Sequence, residues 1–181
     1  MTIATKTLKI VPALAIAGMV FATPHAYAAG ESTTTSTPSC KKGKMWDKKR
    51  KRCVKVKKKS GLTDDNLFEV ARDFAYNKRY QDALDVLSLV SDKSAPRVLN
   101  YQGYSTRKLG NVEKGLVYYT AALKADPTYT LAREYMGEAY LQLGKVDKAL
   151  EQLAAIGEIC GSTCREYTML ETQIVEYTRQ S

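Results

Sequence analysis

The nine residues Lys108-Leu109-Gly110-Asn111-Val112-Glu113-Lys114-Gly115-Leu116 return as Gln142-Leu143-Gly144-Lys145-Val146-Asp147-Lys148-Ala149-Leu150, an offset of 34. Gly103 and Gly137 keep that offset, Tyr119 corresponds to Leu153, and Pro127 closes the unit that Pro96 opens. Each period holds two runs with apolar residues at helical spacing. A unit of this kind buries its apolar faces only by stacking on its neighbours. The product is a curved helical surface rather than a catalytic cleft, so the pattern speaks for binding.

Working outward, the segment from Asp65 to Asn77 places Leu67, Val70, Ala71 and Phe74 at helical spacing, and Tyr80, Ala83, Leu84 and Leu87 do the same for a second helix. Ala83 precedes Gly115 by 32, so the connection around Ser91 to Pro96 is two residues shorter than its successor. Helices are expected near Pro96 to Leu109, Glu113 to Ala125, Thr130 to Leu143 and Val146 to Ile159. Gly110 and Gly144 stand where first helices stop and the left-handed region is favoured. Small residues at the eighth position (Ala71, Gly103, Gly137) and the twentieth (Ala83, Gly115, Ala149) let paired helices approach closely. Past the third unit, Gly161 can end a helix, and Thr163 with Glu166 reads as a capping box. A last helix from Thr163 to Arg179 carries Tyr167, Leu170, Ile174 and Tyr177 on one stripe, which suits the cap that a stack requires.

These residues are similar to the tetratricopeptide repeat family over Asp64 to about Gly161. The third unit matches best, through Gly137, Tyr140, Gly144, Ala149 and Leu153; Leu99 and Arg133 replace the usual early aromatic, and Thr106 stands where Tyr140 stands one unit later. The resemblance implies an all-α, right-handed solenoid of three helix-turn-helix repeats plus a C-terminal capping helix, with the first helix of each pair lining a concave face. Carried over residue by residue, the family's contact positions are Asp65, Phe68, Arg72, Ala75 and Tyr76; Arg97, Asn100, Tyr104, Arg107 and Lys108; and Leu131, Glu134, Glu138, Leu141 and Gln142. The expected protein-binding set is Phe68, Arg72, Tyr76, Arg97, Asn100, Tyr104, Arg107, Lys108, Glu134 and Glu138. Its centre is Tyr104 with Arg97, Arg107 and Arg72, since Tyr and Arg most often anchor interfaces and the buried seam is assigned to Leu99, Gly103 and Tyr119. The family's clamp for chaperone C-terminal carboxylates is not implied, because Phe68 and Arg72 stand where it needs Lys and Asn.

The rest of the chain sets the context. The net charge of +9 is uneven: residues 29–60 hold 12 Lys and Arg against 2 acids, and residues 61–181 hold 14 against 17. Residues 1–28 read as a secretory signal peptide, with Lys6 and Lys9, the apolar run Ile10 to Ala22, and Ala26-Tyr27-Ala28 before the cut. The expected location is therefore periplasmic or secreted. His25, the only histidine, lies in that segment, so the mature chain has no Ser/His or Cys/His pair and no imidazole ligand. We expect no enzyme activity, cofactor or metal. Residues 29–39 form a Ser/Thr-rich linker, residues 40–60 a basic segment closed by cysteines, and residues 61–181 the repeat domain.

An oxidising compartment turns four cysteines into two disulfides. Of the three pairings, Cys40 with Cys53 and Cys160 with Cys164 close the shortest loops; a redox or metal role for Cys160 and Cys164 is the alternative. Cys40 to Cys53, with Gly43, Trp46 and Asp47 between, resembles over 14 residues the terminal half of invertebrate-type chitin-binding modules, which carry six cysteines. The leading expectation is an exported, non-catalytic adaptor binding a protein or peptide, with no nucleic-acid partner. The alternative is an envelope tether that binds an anionic polymer or glycan through residues 40–60.

Overall fold

The computed structural model describes residues 40–41, 44–47, 50–56 and 62–180. Residues 1–28, read above as a signal peptide, and 29–39, read as a linker, lie outside the described residues. Among the described residues seven helices follow a hairpin: β1 (Lys44–Asp47), β2 (Arg52–Lys55), α1 (Asp64–Tyr76), α2 (Tyr80–Leu87), α3 (Pro96–Lys108), α4 (Val112–Ala125), α5 (Thr130–Gln142), α6 (Val146–Cys160) and α7 (Arg165–Gln180). Every helix packs on its sequence neighbour. In addition α1 touches α3, α3 touches α5 and α5 touches α7, with no comparable contact joining α2 to α4 or α4 to α6. The odd-numbered helices are thus the inner layer of a curved stack, as the repeat pattern requires. Among the described residues no helix is long and apolar enough to cross a membrane.

Local chemistry sets the boundaries. Thr63 caps α1, its hydroxyl accepting from the Asn66 amide while Asn66 Oδ1 accepts from the Thr63 amide. Pro96 occupies the first turn of α3, where its missing N–H costs nothing. The α6–α7 turn is bridged by Cys160–Cys164 and Cys40 is bonded to Cys53, so all four cysteines are paired. α7 begins at Arg165, two residues later than the capping pattern at Thr163 suggested.

The same closing turn appears in all three units. The amides of Arg79, Asn111 and Lys145 donate to the carbonyls of Phe74, Thr106 and Tyr140 at 2.8, 3.2 and 2.9 Å. Gly110 and Gly144 take positive φ there, 97° and 69°, and the corresponding residue of the first unit is Lys78, at 60°. The eighth-position glycines do not share one task. A Cβ on Gly103 would meet the Tyr119 ring of α4 at 2.6 Å, within its pair, whereas one on Gly137 would meet Leu170 of α7 at the same distance. The second glycine therefore seats the capping helix, not the paired helix α6 that its position suggested.

At the other end of the stack, β1 and β2 pair antiparallel with Trp46 opposite Cys53. Met45, Val56 and Leu62 pack on the core of the first pair, around Leu67, Phe74 and Leu87. Arg79 fastens the hairpin: its Nη2 donates to the carbonyls of Lys41 and Lys44 at 3.2 and 3.4 Å, its Nε to Asp82 at 2.8 Å, and its guanidinium lies 4.1 Å from the Phe74 ring centre. The described residues of the basic segment are thus docked on the first repeat.

Lys78 holds a backbone conformation that costs a side-chain-bearing residue about 1 kcal/mol and glycine little. Lys78→Gly is expected to raise unfolding stability by about 1 kcal/mol in urea titration, and Gly144→Ala to lower it by at least as much; equal midpoints for all three proteins would contradict the shared-turn account.

Candidate functional site

The inner faces of α1, α3, α5 and α7 form a groove. Its first half is floored by aromatic rings spaced by the helical repeat. Phe68 meets Tyr101 edge-on at 5.4 Å, the Tyr76 and Tyr101 hydroxyls lie 2.6 Å apart, and Tyr104 stacks near Tyr135 with ring centres 4.9 Å apart. Burial pushes the pKa of Tyr104 up, with Tyr80 adding to the shift, so its hydroxyl stays protonated.

Next to Tyr104 a polar network ties four helices together. Arg107 of α3 donates through Nε to the Tyr119 hydroxyl of α4 at 3.2 Å and through Nη2 to Glu138 Oε2 of α5; Gln173 of α7 donates to Glu138 Oε1 at 2.8 Å. Burial works against the Arg107 charge, but Tyr119 and Glu138 overcompensate and its pKa ends above the ordinary value. Lys108 reaches Glu138 at 4.0 Å and lies 5.5 Å over the Tyr104 ring. Beyond the network a cavity of about 690 Å³ opens. α3 and α5 line it with Lys108, Glu138, Leu141 and Gln142; α7 lines it with Gln173, Glu176, Tyr177 and Gln180.

Not every residue of the expected binding set faces this groove. Tyr76 is exposed, Tyr104 half-buried, and Lys108 and Glu138 line the cavity. Phe68 is buried beneath the guanidinium of Arg97. Arg72 pairs with Glu69 of its own helix at 2.5 Å and Arg97 with Asp65 across α1 and α3. Asn100, Arg107 and Glu134 lie inside, at 0%, 2% and 1% exposure. The expectation that Arg107 is dispensable for the seam is corrected: it is the seam's polar core, because Gly115 on α4 leaves room for its Cβ. Leu99, assigned to that seam, is only half-buried.

The sequence reading missed the α7 wall by treating that helix as a cap alone. The signal was present. α5 starts at residue 130 and α7 at 165, and moving the groove positions Glu138, Leu141 and Gln142 forward by that offset lands on Gln173, Glu176 and Tyr177.

Glu134 faces none of these partners well. Loss of water around the carboxyl, reinforced by Glu138 and Glu166 and opposed by Arg165 and Arg107, pushes its pKa from 4.5 to about 8. A carboxyl held protonated by the fold binds its proton more tightly in the native than in the unfolded chain. Its contribution is complete below about pH 4.5 and declines as pH rises toward 8, by about 1.4 kcal/mol per unit. Glu134→Gln should therefore melt like wild type at pH 4.5 and clearly above it at pH 8; parallel melting curves at both pH values would show that Glu134 is not held neutral.

Residues 107–174 match the family model for the tetratricopeptide repeat (TPR). Among solved structures the chain resembles the first TPR domain of human RPAP3, at 18% identity and a TM-score of 0.57 over 65% of this chain and 94% of that one. It also resembles the Yersinia enterocolitica type III secretion chaperone SycD in complex with a peptide of the translocator YopD, at 20% identity and a TM-score of 0.54 over 64% and 89%. A third likeness is to PcrH in complex with the chaperone binding region of PopD, at 18% identity and a TM-score of 0.56 over 66% and 96%. At such identities the likeness establishes the fold alone. No curated protein matches the chain in sequence.

Proposed function

Because the helical part of this chain is a tetratricopeptide repeat array, we propose that the protein is a non-catalytic adaptor that holds a protein or peptide segment in the groove of its inner helices. The observation that carries this reading is the cavity of about 690 Å³ between α3, α5 and α7, a size that suits a bound segment and a lining that mixes amides, charges and one tyrosine. SycD and PcrH, which share the fold, are recorded with a peptide and with the chaperone binding region of a second protein. Export to an oxidising compartment is part of the proposal, supported by the signal pattern of residues 1–28 and by the pairing of all four cysteines.

Site-specific cross-linking tests the groove. With a photoreactive phenylalanine replacing Gln142 in the groove or Lys124 on the outer helix α4, partner adducts are expected from position 142 and not from 124. Adducts from 124 alone would move the binding surface to the outer layer.

One observation favours a second activity alongside the first. The docked hairpin turns Met45 and Val56 inward and leaves Lys41, Lys51, Arg52 and Lys55 exposed, so its outer side is a fixed cationic surface suited to anionic lipid or polymer. Association of the full mature chain with anionic vesicles should fall steeply as salt rises, because exposed charges are screened beyond about 10 Å at 0.1 M. The triple change Lys51→Glu, Arg52→Glu and Lys55→Glu should abolish it. Vesicle binding that survives both would remove the hairpin from consideration.

A further inference from the structure

The groove's charges divide unequally along its length. In the first half each arginine is matched by an acid of the same chain: Arg72 by Glu69, Arg97 by Asp65, Arg107 by Glu138. Around the cavity the balance differs. Glu138 is already held by Arg107 and Gln173, and Lys108 stands between that carboxylate and the Tyr104 ring. Glu176 is exposed, lines the cavity, and has no ion pair or hydrogen bond among the described residues.

The amides near it are biased as well. Gln173 spends its nitrogen on Glu138, which leaves its oxygen to accept. Gln173 and Glu176 thus offer the cavity an amide oxygen and a carboxylate, beside the aromatic ring of Tyr177 on which an alkyl-cation stem can lie. An anionic group entering here would meet the exposed Glu176 carboxylate, while Lys108, the one lining cation, stands 4.0 Å from Glu138. Resting on the groove reading, we propose that this cavity is a subsite for a cationic side chain, Lys or Arg, of the bound segment, with Glu176 as its counter-charge and the Gln173 oxygen as its second acceptor. Gln142 and Gln180, which close the remaining sides, have both donors and acceptors for the peptide backbone around it. Glu176 then sets specificity and contributes little to the fold.

The test uses the full mature chain and three fluorescein-labelled pools of twelve-residue peptides. Each pool is randomised over Ala, Leu, Ser, Tyr and Gly, with Lys, Gln or Glu fixed at the centre, and binding is read by anisotropy. Wild type should bind the Lys pool about fivefold tighter than the Gln pool, the discrimination expected of a partly exposed ion pair, and the Glu pool most weakly. Glu176→Gln should bring the Lys and Gln pools within about twofold, and Glu176→Lys should make the Glu pool the tightest. Both variants should melt with wild type, since the residue is exposed. Binding of all pools without charge preference, or a preference untouched at position 176, overturns this assignment and leaves the groove reading standing. Binding of no pool overturns the groove reading itself, and this subsite with it.

Discussion

The contact on which the stack most depends is the pairing of Arg107 with Glu138, made between side chains that are 0% and 13% exposed. A guanidinium so placed depends on the partners its donors find, here for Nε and one of the two terminal nitrogens, and removal of one partner of such a pair is far more damaging than the pair's net worth. Arg107 meets Tyr119 within its own repeat and Glu138 in the next, and Glu138 in turn receives Gln173 from the terminal helix. Successive repeats are thus registered by a directional network as well as by apolar packing, which alone would tolerate sliding. The same network removes from solution one of the arginines expected to anchor a ligand.

A short solenoid has two ends, and each would expose an apolar face if left bare. At the C-terminus Leu170 of α7 fills the space that Gly137 leaves open and, with Ile174, joins the core of Leu141, Ala149, Leu153 and Ile156. At the N-terminus the hairpin performs the equivalent service with Met45 and Val56, pinned by Arg79. A segment whose composition reads as a charged tail is therefore also a lid on the first repeat. Its two faces obey different constraints, apolar toward the core of the first pair, cationic toward water.

The helices and their turns were legible because they rest on local rules. A 34-residue offset, glycine at helix ends and proline in a first turn each act over one or two turns of chain, and the boundaries follow within a residue or two. Burial across repeats was less legible. Position in the repeat placed Asn100, Arg107 and Glu134 on the inner helices correctly, but position cannot say how closely the next helix approaches, and at Arg107 it is that approach, set by Gly115, which covers the side chain. The role of Gln173, Glu176 and Tyr177 was hidden for a related reason. Helix α6 has 15 residues where α4 has 14, which lengthens the period from 34 to 35, and a helix read only for its apolar stripe does not show its second face.

The distribution of unmet polar groups says what kind of layer the groove is built on. α4 buries Gly115, Tyr119 and Ala122, and α6 buries Ala149, Leu153 and Ile156, with no polar side chain except the Tyr119 hydroxyl, which has its partner. The buried side-chain atoms that lack a protein partner among the described residues, including Ser105 Oγ, one nitrogen of Arg107, Arg133 Nε and Glu134 Oε1, all sit on α3 and α5. Each such group costs about 1–3 kcal/mol if no water reaches it, so a stack selected for stability alone would carry apolar residues there. Violations of local design rules collect at functional surfaces in proteins generally. Here they collect on α3 and α5, the two helices that form the middle of the groove, while α4 and α6 bury almost only apolar groups.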